Sequence, residues 1–195
     1  MLKELEKHLQ FVDISNEDMS IFEWKPPRSF KSFLLDLNIV KKNKANDVFF
    51  HIDKGNMKIV HIRKNNLIYT IGSDKSVQFQ ILEALLEKID EEFHDMYDIE
   101  VIFSYGNTTS AIFKAFKQEI ERIIEEFPTS DLIKKVDVHC RVCKTILPLY
   151  IKKSIMKEAL SFPIPIVYNH KGHALVCYID QDFVVRGVEL VNITG

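Results

Sequence analysis

Between residues 47 and 72, apolar and polar positions alternate in three short runs, DVFFHID (47–53), MKIVHIR (57–63) and NLIYTIG (66–72). A period of two marks strands with a strongly apolar and a mixed face. The links Lys54-Gly55-Asn56 and Lys64-Asn65-Asn66 supply residues that tolerate positive φ. The pattern predicts a three-stranded meander. The period then lengthens: Ile81, Leu82, Leu85, Leu86, Ile89, Phe93 and Met96 recur at helical spacing, predicting a helix over 76–97. Ile112, Phe113, Phe116, Ile120, Ile123, Ile124 and Phe127 repeat that spacing, predicting a second helix capped by Thr108 or Thr109 and ended by Pro128. Between the helices, IEVIFSY (99–105) reads as a further strand or an extended loop.

Upstream, LQFVDIS (9–15) and MSIFEW (19–24) flank the turn-forming Asn16-Glu17-Asp18, which suggests a hairpin. MLKELEKHLQF reads equally as a short helix running to Phe11. After Pro26-Pro27, Ser29 is placed to cap a helix through Phe33, Leu34, Leu37 and Val40. The chain is expected to divide near Pro128, giving domains 1–128 and 129–195. In the second, VDVHCRVC (136–143) is followed by ILPLYIKKSIMKEALSF (146–162), whose pattern suggests a short helix with Ile151, Ile155, Ala159 and Leu160 inward. PIPIVYNHKGHALVCYIDQDFVVRGVELV (163–191) reads as three antiparallel strands turning at His170-Lys171-Gly172 and Asp180-Gln181-Asp182. The fold class is α+β: an antiparallel sheet with helices packed on it, then a small α+β unit holding its own three-stranded meander. A unit that small is near the minimum for independent stability and wants a staple.

The order hairpin, helix, three-strand meander, long helix, final helix resembles the longin domain of the longin and roadblock (profilin-like) group. The echo is closest in the meander followed by ILEALLEKIDEEFHDMY, with Phe93 and Tyr97 near the helix end, then a Gly-Asn turn and a helix carrying Phe113 and Phe116. It covers residues 9–127, most strongly 47–127. The resemblance implies a layered α/β protein without catalysis. Such domains bind proteins, dimerise, or serve small GTPases and vesicle-trafficking machinery as platforms and regulators.

Composition adds exclusions. With 46% hydrophobic and 28% charged residues the chain has the make-up of a globular protein, and a net charge of −2 offers no general field for nucleic acid or anionic membranes. No apolar run approaches the length of a membrane span. The opening MLKELEKHLQ lacks the apolar core of a secretory signal, and three cysteines do not make a disulfide framework, so the cytoplasm is the expected location.

The candidate staple is a metal site. Cys140-x-x-Cys143 offers two thiolates from one turn, and His170-x-x-His173 offers two imidazoles from a hairpin, with His139 and Cys177 nearby in sequence. Two sulfurs and two nitrogens suit tetrahedral zinc, and the unit would be zinc-ribbon-like. Two features run against that pattern: the histidine spacing is shorter than the common three to five residues, and Lys144 stands where a zinc knuckle often has glycine. The competing reading makes the cysteines half-buried and the histidines surface turn residues. A thioredoxin-like use of Cys-x-x-Cys needs a helix starting at the motif, which Lys144-Thr145-Ile146-Leu147-Pro148 interrupts.

Other chemistry is thinner. Cys177 lies in the apolar run ALVCYI and reads as core. Glu91, Glu92, Asp95 and Asp98 read as a solvated helix face. Gly55, Gly72 and Gly106 read as isolated turn glycines, with no phosphate-cradling loop. Lys41, Lys42 and Lys44, and Lys152, Lys153 and Lys157, read as solubility features, and Arg186 as a partner of Glu189 or Asp182. The expected function is therefore a non-catalytic interaction module. It would bind a small GTPase or another longin or roadblock-type subunit, or form a homodimer, through a sheet edge or a helix face. A surplus of apolar side chains (Phe30, Phe33, Phe49, Phe50, Phe79, Phe113, Phe116) would supply the surface. The alternative is a zinc-containing nucleic-acid-binding or regulatory protein meeting phosphate through Lys152 and Lys153.

Overall fold

A computed structural model describes residues 2–27, 40, 42, 44–104, 110–170 and 172–191. The chain separates into two compact units, Met1–Ser130 and Asp131–Gly195. The helix expected from Ser29 through Leu37, the Gly106-Asn107-Thr108 turn and its capping threonines lie outside the described residues.

The first unit opens with a 3-10 turn, Leu2–Glu4, and one turn of helix, α1 (Leu5–His8), which runs directly into β1 (Leu9–Ser15). Helix and strand thus share the opening segment that sequence left ambiguous. β1 pairs antiparallel with β2 (Ser20–Trp24) across a turn in which the Asn16 side chain accepts from the Asp18 and Met19 amides at 2.9 and 2.8 Å. The meander follows as β3 (Phe49–Lys54), β4 (Met57–Lys64) and β5 (Leu67–Asp74). Its turns place Gly55 at φ 61° and Asn65 at φ 53°, the conformation those residue types were expected to accept. The five strands form one antiparallel sheet in the order β2-β1-β5-β4-β3.

One face of this sheet carries α2 (Phe79–Met96) and α4 (Phe116–Glu126), the latter preceded by a 3-10 segment, Ser110–Ala115. Phe93 is the hub between them. Its ring meets Phe116 at 4.9 Å, Phe113 at 5.4 Å, Tyr97 at 5.1 Å and Tyr69 at 6.2 Å, in tilted and edge-to-face pairs. Trp24, Tyr69, Phe93, Phe113, Phe116 and Phe127 are all less than 2% exposed. The aromatic residues counted as surplus at positions 113 and 116 are therefore core, whereas Phe49, Phe50 and Phe79 are half-buried. On the opposite face the register aligns Asp13, Thr70 and His61, all buried. Gly72 also belongs to this face. It lies within β5 opposite Phe11, whose ring fills the space a Cβ would need, so it is a packing glycine and not a turn residue.

Residues 99–104 form a helix, α3 (Ile99–Ser104), and not a strand. Asp98 explains the reversal: its side chain accepts from the Val101 amide at 3.1 Å, as a helix N-cap does. β-branched content suggested extension, but none of the six residues is buried, so strand packing had no core to offer them.

The second unit begins with the hairpin β6 (Ile133–Cys140) and β7 (Thr145–Lys152). A helix, α5, covers only Lys153–Glu158. The single helix expected within 146–162 is thus a strand and then a helix. Leu147, Leu149 and Ile151 are buried while Ile146 and Pro148 are exposed, a period of two. Ile151 points inward from the strand, and Leu160 is fully exposed. The remaining strands match expectation: β8 (Ile164–His170), β9 (His173–Ile179) and β10 (Val185–Val191) form a sheet in the order β10-β9-β8. The core of the unit joins Val138, Cys140, Leu147, Leu149 and Ile151 from the hairpin to Ile166, Leu175, Cys177 and Ile179 from the sheet. No described helix is long and apolar enough to cross a membrane.

Candidate metal centre

Two hairpin tips build this site. At the first, Cys140 ends β6 and pairs in register with Thr145, enclosing a four-residue turn that holds Cys143. Lys144 closes the turn at φ 55°. The residue that replaces the usual glycine thus adopts the glycine's left-handed conformation, at a cost of about 1–2 kcal/mol. At the second tip, His170 and His173 face each other as the last pair of β8 and β9, with Gly172 at φ 79° between them.

The ligand atoms of Cys140, Cys143 and His173 all lie within 4.8 Å of one another. Cys140 Sγ is 3.9 Å from His173 Nδ1. A tetrahedral ion bound at ordinary Zn–S and Zn–N lengths sets that edge at about 3.6 Å, so the spacing is within a few tenths of an ångström of a binding geometry. Cys140 is fully buried, and Cys143 and His173 are half-buried. The Thr145 hydroxyl lies 3.0 Å from Cys143 Sγ. That hydroxyl, with Cys140 and the local backbone amides, holds the Cys143 thiol below its usual range. A lowered thiol favours the thiolate, the form that ligates metal. The cluster offers a metal ion three ligands.

His170, the fourth expected ligand, lies apart from this cluster. Its ring centroid is 6.5 Å from that of His173, and it stacks at 14° against Tyr168. His139, beside Cys140, is exposed on the other side of β6. Cys177 is buried in the core, and burial pushes its thiol up to about 11, the state of an inert core cysteine. The Cys-x-x-Cys motif sits between two strands, without the helix N-terminus that activates a thioredoxin thiol.

Several other titratable groups are tied into structure. Ser76, His8 and Asp74 meet, but Asp74 Oδ2 (2.8 Å) and Ser76 Oγ (3.1 Å) both address His8 Nδ1. A relay needs the two on opposite ring nitrogens, so this trio is a turn network. Glu91 and Glu92 each pair with Lys88 at 2.8 Å, and Glu92 also reaches Arg122 of α4 at 3.5 Å. Arg186 pairs with Asp180 at 2.5 Å and not with Glu189 or Asp182; Glu189 instead accepts from the Tyr178 hydroxyl. Lys152 is 4% exposed, and Lys153 is paired with the exposed Asp131. Lys44 pairs with Glu17 at 2.8 Å, and Lys41 lies outside the described residues.

Two residues that shape the site were given no supporting role from sequence. Thr145 carried no signal, since a threonine after a turn is unremarkable. Lys144 did carry one: a four-residue turn between strands demands a left-handed position somewhere within it. No protein-family model matches this chain, and no curated protein matches it.

Proposed function

We propose that this protein is a non-catalytic interaction module of longin-like type, an adaptor or regulator that engages a small GTPase or a second longin or roadblock-type subunit. The observation that supports it is the apolar β3 edge of the five-stranded sheet. At one end, β2 is packed by the 110–115 segment, and Phe22 meets Phe116 edge-on at 5.3 Å. At the other end β3, like β2, has a single strand neighbour among the described residues, and its His51 stacks on Phe79 of α2 at 4.4 Å. Half-buried Phe49, Phe50 and Ile52 lie along it. A sheet-edge strand lined with apolar side chains is a template for strand addition.

The test is affinity capture from native lysate with and without a GTP analogue, beside an Ile52→Lys variant that places a charge on the edge. Wild-type protein retains a small GTPase or a longin or roadblock-type subunit, and the variant releases it. Recovery of nucleic acid or transcription components instead overturns the reading.

The three-ligand cluster favours a second reading, which concerns the cofactor: the ion at Cys140, Cys143 and His173 is zinc. Two sulfurs and a nitrogen near tetrahedral spacing select zinc over hard, oxygen-seeking cations. Elemental analysis of purified protein is expected to give one zinc per chain, and a value well below one rejects it.

A further inference from the structure

We propose that His170 is the fourth ligand, swinging from its stack on Tyr168 to close a Cys2His2 zinc centre that clamps one hairpin tip of the second unit to the other. This rests on the zinc reading above and extends it from a three-donor cluster to a closed structural site.

The register makes the case. His170 and His173 are directly opposed in an antiparallel pair, so their side chains leave the same face of the sheet. That face is the one carrying Leu175 and Cys177 into the core, where Cys140 lies. Directly opposed residues hold their Cβ atoms about 4.5–5.5 Å apart. Two imidazoles so placed can reach one ion by side-chain rotation alone, with the backbone left as it stands. The rings now stand 6.5 Å apart at a tilt of 57°, and the proposal asks of His170 only a change of side-chain rotamer.

The competitors fail on position. His139 alternates to the outer side of β6, opposite Ile146, which is 68% exposed. Cys177 shares the face but lies four residues along β9 from His173, about 13 Å at strand rise. Thr145 is engaged with the Cys143 sulfur and is a poor zinc donor. Binding releases the two thiol protons and leaves the ion with two thiolates and two neutral imidazoles. With all four positions taken from the chain, the centre is structural: it has no vacancy for a substrate.

The experiment titrates the metal-free full-length chain with Co2+ and then competes zinc against a chelator, for wild type, His170→Ala, His170→Cys and His139→Ala. Wild type is expected to give the intense visible bands of tetrahedral cobalt at one ion per chain. His170→Ala should lose zinc affinity by more than the roughly 10–100-fold typical of removing a metal's outer hydrogen-bond partner, while His139→Ala binds as wild type does. His170→Cys gives the positive signature: tetrahedral bands persist and sulfur-to-cobalt charge-transfer absorption rises in proportion to a third thiolate. That readout stands even where His170→Ala fails to fold. If His170→Ala matches wild type in affinity and spectrum, or His170→Cys adds no sulfur absorption, His170 is not the ligand although the zinc reading survives. If wild type takes up no metal, both fall together.

Discussion

The two units solve the same problem with different means. The first buries a closed set of aromatic rings around Phe93, between a five-stranded sheet and two amphipathic helices. The second has, among the described residues, a ten-residue core cluster in which two of the ten are cysteines, Cys140 and Cys177. Its strands fall into a two-stranded and a three-stranded sheet that share this core without pairing. A chain of about 60 residues buries too small a share of its surface to be more than marginally stable unaided. A cross-link has most value in the unit with the smaller core. A metal held between the hairpin tips joins two sheets that no backbone ladder joins.

The comparison breaks most sharply on metal removal. If the site holds zinc as proposed, chelation is expected to unfold Asp131–Gly195 while Met1–Ser130 keeps its transition, because apparent zinc-binding energies in small domains are on the order of 10 kcal/mol. Chemical denaturation followed by circular dichroism, with and without a strong chelator, would show one transition shifted and the other fixed. The reciprocal variant is Phe93→Ala. Removing a fully buried ring that contacts four other aromatic residues should destabilise the first unit by about 3–5 kcal/mol and leave zinc affinity unchanged.

A smaller effect separates the units by pH. Burial, helped by the neighbouring His51 and Arg63 charges, lowers the His61 pKa from 6.5 to about 4. The unfolded chain therefore takes up this proton at higher pH than the folded one. The His61 contribution is complete above about pH 6.5 and disappears as pH falls toward 4, a loss of about 2–3 kcal/mol. Melting of the first unit at pH 7.5 and 4.5 should show it, and His61→Leu should flatten that part of the profile. The smallest change is Lys144→Gly. Relief of the left-handed strain, about 1–2 kcal/mol, is offset by the roughly 0.5–1 kcal/mol of flexibility that glycine adds to the unfolded chain. The second unit should gain at most about 1.5 kcal/mol, visible as a small upward shift of its midpoint.

Much of the first unit was legible because its signals are local. Gly55 and Asn65 mark the meander turns, and the Ile81-to-Phe93 stripe marks a helix found at Phe79–Met96. Residues 99–104 misled because their β-branched content is a preference that only a sheet can reward, whereas Asp98 offered a cap on the spot. Residues 145–152 misled differently: Leu147, Leu149 and Ile151 alternate, but Ile151 also falls at helical spacing with Ile155, Ala159 and Leu160, which suggested a short helix instead. At the metal centre, the cysteine pair was legible from its spacing. The meeting of Cys140 with His173, 33 positions later, depends on two hairpins reaching the same place, and no local pattern encodes it.

One buried side chain makes these two histories separately observable. Trp24 is the chain's single tryptophan and is 1% exposed, deep in the first unit. Its fluorescence therefore reports one unit alone, while the visible colour of a cobalt-loaded centre would report the other. The chain carries a built-in emission probe in one half and a site for an absorption probe in the other, so the folding of each can be followed in one cuvette without attaching a label.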